Sequence, residues 1–138
     1  FTAQACVRML QETGVDGVTL ARGCIGNPGI FRECVALWRG EPLPPPPTIA
    51  EQRDAIEYHW AQCVEETGLE MAGKVMRKFG IKYAELHPLN LQVRDAFIAV
   101  KTSDEFTGVL DRWYDESMDF PPVVRREGCG DLIAAGAE

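Results

Sequence analysis

The sequence predicts a mostly α chain: a C-terminal helical bundle preceded by a truncated helix–strand–helix remnant of a larger α/β fold. Three observations carry this expectation. Between about 49 and 113, apolar residues recur at helical spacing in four runs separated by short breaks. Upstream, the run Val18-Thr19-Leu20-Ala21 is short, partly β-branched and followed by Arg22-Gly23, as a buried parallel strand would be. Its sheet neighbours would have to come from elsewhere, because no other segment reads as a strand. Finally, five of the nine prolines fall between Pro42 and Pro47 and divide two differently composed parts. At 138 residues, the chain is long enough to bury a core but falls short of the roughly 250 residues of a complete (β/α)8 barrel.

The elements follow from local signals. Thr2 is a good N-cap for a helix over about 3–13, with Cys6, Met9 and Leu10 on its apolar face and Gly14 as its stop. The strand follows, and then ARGCIGNPGIFRE, a glycine-rich turn that opens into a helix carrying Ile30, Phe31, Cys34, Val35 and Trp38, closed by Gly40. Residues 41–48 form an extended, semi-rigid proline linker. Thr48 and Glu51 make a capping box for a helix over about 49–67, with Ile56, His59, Trp60, Cys63 and Val64 on one face. Gly68 ends that helix, and the next, over about 70–85, turns Ala72, Val75, Met76, Phe79 and Tyr83 inward before Pro88. Val93, Phe97 and Val100 mark a third, short helix; Thr102 and Glu105 cap a fourth, with Phe106, Val109, Leu110 and Trp113 inward. The expected organisation is therefore 1–40, the linker 41–48, a helical bundle over 49–117 and a flexible tail over 118–138.

Charge and cysteine usage narrow the function classes. The 14 basic and 21 acidic residues leave a net charge of −7, which argues against a general nucleic-acid coat while leaving room for a local basic stripe. No stretch reaches the roughly 18–20 apolar residues of a membrane span, and FTAQACVRML lacks the layout of a signal peptide, so a cytoplasmic location is expected. The absent initiator Met is expected to mean that residue 1 is not a natural start, or that the start was removed. Five cysteines, none in a C-x-x-C pair, with only His59 and His87 beside them, point to reduced thiols rather than a disulfide framework or a metal site.

Two groups of residues could carry function. Ala21, Arg22 and Gly23, with Gly26-Asn27-Pro28 behind them, lie where a strand ends and a helix begins. Backbone N–H groups there can point at a phosphate, and the alternative is a tight turn that needs glycine. Lys74, Arg77, Lys78 and Lys82 place four of the fourteen basic residues within nine positions, on the side of their helix opposite Val75, Met76 and Phe79. A polyanion such as RNA would use that stripe; the alternative is a solubilising face, with Glu70 pairing to Lys74. His59 reads as a satisfied core histidine, His87 as a loop residue without an apparent partner, and Cys24 as a small packing residue. No catalytic constellation is visible.

Beyond these readings, ETGVDGVTLARGCIGNPGIFRE resembles the corresponding stretch of the tRNA-dihydrouridine synthases, approximately TGxDGVMIGRGAxGNPWIFRE. The resemblance extends to MRKFGIKYAELHP, which is similar to that family's MRKHxxWYxKGxP, and covers roughly residues 1–117. It implies that 1–40 is the closing piece of an FMN-binding TIM barrel and that the bundle recognises tRNA. The implied activity is that of a flavoprotein oxidoreductase of tRNA processing, reducing the C5=C6 bond of uridine with FMN and with NADPH as reductant, on a base flipped from its stack. It also implies that Ala21, Arg22 and Gly23 hold the FMN phosphate and that Lys74, Arg77, Lys78 and Lys82 meet tRNA. The family's catalytic cysteine lies on an earlier barrel loop, so no catalytic residue is expected in this chain, and the chain alone is not expected to be active. The sequence departs from the family's pattern at Ala21 (a glycine there), Gly29 (a tryptophan) and Glu85-Leu86 (Lys-Gly). An uncovered barrel remnant offers a surface for self-association. The other reading is a free-standing helical RNA- or protein-binding module without enzymatic activity, and a third is another FMN barrel enzyme sharing the Gly-Arg turn.

Overall fold

A computed structural model describes residues 2–123. Six α-helices account for most of them: α1 (Ala3–Thr13), α2 (Ile30–Trp38), α3 (Ile49–Thr67), α4 (Leu69–Tyr83), α5 (Asn90–Ala99) and α6 (Ser103–Trp113), with short 3-10 turns at Arg22–Cys24 and Ala84–Leu86. The contacts divide the chain into two compact units, one running to Pro45 and the other beginning at Pro46.

In the first unit, the Thr2 side chain accepts from the Ala5 N–H, and Gly14 closes α1 in the left-handed region at φ 66°. Helices α1 and α2 pack together, burying Ala3, Val7, Ile30 and Ala36. The strand expected over Val18–Ala21 is not formed. That segment has no regular structure, Thr19 and Ala21 are exposed, and the described residues contain no strand. The β-branched pattern was legible, but a strand exists only where a neighbour accepts and donates its ladder hydrogen bonds, and none of the described segments does so. The arrangement is helix–turn–helix rather than helix–strand–helix.

In the second unit, α4 lies at the centre, packed against α3, α5 and α6. The core comprises Ile56 and Cys63 from α3, Ala72, Met76 and Tyr83 from α4, Val93 and Phe97 from α5, and Phe106, Val109 and Leu110 from α6, with Val100 and Tyr114. Each large apolar side chain fully buried there contributes about 1.5–3 kcal/mol. Trp60 stacks on Phe106 with centroids 4.6 Å apart and planes within 7°. Both expected capping boxes are present: Thr48 with Glu51, and Thr102 with Glu105, each exchanging side-chain and backbone hydrogen bonds. Two glycines let α4 sit this deep. A Cβ on Gly80 would lie 2.4 Å from the Phe97 ring, and one on Gly73 would lie 2.5 Å from the Thr102 carbonyl. The Ser103 hydroxyl bridges at that second contact, accepting from the Gly73 N–H at 3.2 Å and donating to the Leu69 carbonyl. Arg53 ties α3 to the end of α6, reaching Asp111 at 2.8 Å and the Leu110 carbonyl at 3.3 Å while it pairs with Glu57 on its own helix. Of the segment expected to be a tail, Phe120 packs edge-on against His87; residues 124–138 lie outside the described residues.

Candidate functional site

The first candidate is the turn between α1 and α2. Ala21 precedes the 3-10 turn Arg22–Cys24 with φ −78° and ψ −82°. A negative φ is open to any L residue, so alanine imposes no glycine-only angle here. The positive-φ position falls instead to Gly26, at 78°. Ala21 and Arg22 are exposed and Gly23 is half-buried, and no side chain caps α2 at its N-cap residue Gly29. Small residues thus stand on either side of Arg22 in the turn that precedes α2. Cys24 turns inward, its thiol donating to the Leu20 and Ala21 carbonyls at 3.0 and 3.1 Å. The thiol of Cys34 on α2 is pushed up to about 11, first by burial and then by neighbouring Cys6, which leaves it protonated at neutral pH and a poor nucleophile.

The second candidate is the outer side of α4. Lys74, Arg77, Lys78 and Lys82 are all exposed, while Ala72, Met76 and Tyr83 of the same helix are buried. From Lys74 to Lys82 is eight residues, or about 12 Å of helix axis. The Lys78 ammonium lies 4.9 Å from the Phe79 ring centroid. Lys82 pairs with Glu85 at 3.0 Å, with both side chains about half exposed. Among the described residues, the acid paired with the stripe is therefore Glu85, from the turn after α4.

The two histidines are structural. His59 is half-buried, its Nδ1 sharing a hydrogen bond with the Tyr83 hydroxyl at 3.2 Å, and burial lowers its pKa. For His87, the loop reading without a partner is corrected. The side chain is 2% exposed, its Nε2 bonds the Trp113 carbonyl at 2.6 Å, and its Nδ1 accepts from the Leu89 N–H at 3.0 Å. Burial lowers its pKa as well, with the Trp113 hydrogen bond opposing. Only a neutral ring protonated at Nε2 satisfies both bonds. The sequence carried little signal for this, since Trp113 lies 26 residues away. Among the described residues, no three His, Cys, Asp or Glu side chains come together to hold a metal ion, and no helix is long and apolar enough to cross a membrane. An open groove of about 430 Å³ along Phe31, Val35, Arg39 and Pro42 includes none of the candidate residues.

Comparison with known proteins gives a consistent answer. The family model for Dihydrouridine synthase (Dus) matches residues 1–118. A probable tRNA-dihydrouridine synthase of Mycobacterium leprae (strain TN) is 34% identical over 124 residues, covering 90% of this chain and 32% of the relative. A probable tRNA-dihydrouridine synthase of Mycobacterium tuberculosis (strain ATCC 25618 / H37Rv) is 36% identical over 121 residues, covering 88% and 31%. The tRNA-dihydrouridine synthase B of Xanthomonas axonopodis pv. citri (strain 306) is 30% identical over 123 residues, covering 88% and 37%. The chain thus spans about a third of the length of these curated relatives.

Proposed function

The chain belongs to the dihydrouridine synthase family, and from that membership we propose that it works as the C-terminal part of a cytoplasmic tRNA-dihydrouridine synthase, supplying tRNA binding and part of an FMN phosphate site. In this reading, residues 1–40 close an FMN-binding (β/α)8 barrel, and the run Val18–Ala21 gains its ladder from strands of the whole enzyme. The backbone of Ala21 and Gly23 and the Arg22 guanidinium would hold the FMN phosphate, which suits the small side chains and negative φ of that turn. FMN, when bound, would supply the hydride that reduces the uridine C5=C6 bond, with NADPH as its reductant. The residues of this chain contribute binding and orientation. Lys74, Arg77, Lys78 and Lys82 would meet tRNA phosphates, fixing the register of the substrate without reading its bases. The family's catalytic cysteine has no counterpart here, so the chain by itself, given FMN, NADPH and tRNA, is expected to leave uridine unreduced. Self-association belongs to the same proposal, through the apolar side of α2 where Phe31, Val35 and Trp38 are exposed.

The observation that carries this reading is that all four stripe cations lie on the exposed side of one helix in a member of a tRNA-modifying family. The test is tRNA binding by fluorescence anisotropy across a salt series. Micromolar binding is expected, weakening with salt with a log–log slope of up to about −3 to −4 for four phosphate contacts. Replacing Lys74, Arg77, Lys78 and Lys82 together by Glu should abolish binding while helical circular dichroism persists. Equal binding by the reversed protein would leave the stripe a solvated face, with tRNA held elsewhere on the chain, whereas no binding by the parent would favour a module that binds something else.

A further inference from the structure

We propose that Glu85 is a positioning residue that competes with RNA phosphates for Lys82, so that Lys82 engages tRNA only in part, and thereby limits how tightly this chain binds tRNA. The inference rests on the tRNA-binding reading of α4 and deepens it.

Lys82 sits in the last turn of α4, and Glu85 lies in the 3-10 turn Ala84–Leu86 directly after it. The Lys82 Nζ and Glu85 Oε1 are 3.0 Å apart, with side chains 52% and 51% exposed, so the pair forms at the surface where a polyanion would approach. Lys74, Arg77 and Lys78 share the exposed side of α4 with Lys82. A carboxylate within hydrogen-bond reach of Lys82 competes with phosphate for the same ammonium donors, and it also repels phosphate from the C-terminal end of the stripe. The position does little for the helix itself. A negative charge beside a helix C-terminus opposes the macrodipole, whereas Lys82 in the last turn suits it. An exposed pair of this kind adds little to stability. Removing the carboxylate should therefore release a cation to RNA at little cost to the fold.

The test uses the whole chain, an unmodified tRNA transcript as probe, and anisotropy across a salt series. Glu85→Gln should tighten binding at low salt by about two- to fivefold. It should also steepen the log–log salt slope by up to about 0.7–0.9, the signature of Lys82 neutralising one phosphate in full. In the Lys82→Gln background, Glu85→Gln should relieve repulsion but leave the slope unchanged, because no cation is freed. Circular dichroism and thermal unfolding of Glu85→Gln should match the parent. A Glu85→Gln protein with the parent's slope, or the same steepening in the Lys82→Gln background, would overturn the proposal. Reversal of all four stripe charges separates the two claims. If reversal abolishes binding and Glu85→Gln changes nothing, only the role of Glu85 falls; if reversal leaves binding unchanged, the stripe is not the tRNA-binding surface and the role of Glu85 falls with it.

Discussion

Replacing Gly73 by Ala tests how α4, the helix that carries the basic stripe, is seated. The added Cβ would lie 2.5 Å from both the carbonyl carbon and the oxygen of Thr102 and 2.6 Å from the Ser103 nitrogen. These are backbone atoms at the capped start of α6, and they cannot swing aside as a side chain would. Relief requires α6 to retreat by about 1 Å from contacts that should be near 3.4 Å or more. Overpacking of this kind costs about 1–3 kcal/mol. The retreat also strains two hydrogen bonds of the Ser103 hydroxyl, to the Gly73 N–H and the Leu69 carbonyl, at about 0.5–1.5 kcal/mol each. Alanine returns about 1 kcal/mol of helix propensity, so the net loss is about 3 kcal/mol. Gly108→Ala is the control: it lies in α6, exposed, and its Cβ would meet nothing within 4 Å. Propensity alone should act there and stabilise by about 0.5–1 kcal/mol. Urea unfolding followed by helical circular dichroism measures both variants. A Gly73→Ala protein as stable as the parent, beside a stabilised Gly108→Ala, would refute the close approach of α4 to α6.

Two further outcomes follow from the same packing. Thr48→Ala and Thr102→Ala each remove the hydroxyl half of a capping box and should each cost about 1 kcal/mol; urea midpoints unchanged by both would show the caps to be energetically idle. Buried His87 and half-buried His59 have pKa values below the ordinary 6.5, so the unfolded chain binds protons that the folded chain does not. Stability should be fully present above about pH 6.5 and fall as pH drops from there toward the folded-state values, by no more than about 1.4 kcal/mol per pH unit for each histidine. His87→Gln should lower stability at every pH yet flatten that slope, and a slope equal to the parent's would remove His87 from the account.

The residues themselves carried most of the helical structure. Thr2, Thr48 and Thr102 announced starts, Gly14 and Gly68 announced stops, and the spacing of Ile56 with Cys63, Met76 with Tyr83, and Val93 with Phe97 marked inward faces. The exposure of Lys74, Arg77, Lys78 and Lys82 was legible by the same periodicity. A helix closes its hydrogen bonds within its own segment, so its signals are local and survive being read one stretch at a time. Tertiary structure decided the rest. Val18–Ala21 has the composition of a strand and forms none among the described residues, because a ladder needs a second strand. His87 is buried because the end of α6 and Phe120 close over it. Gly73 and Gly80 look like weak points of a helix until Thr102 and Phe97 occupy the space a Cβ would take. The settings of His87, Gly73 and Gly80 depend on atoms some 17 or more residues away, and only packing determines which distant atoms become neighbours.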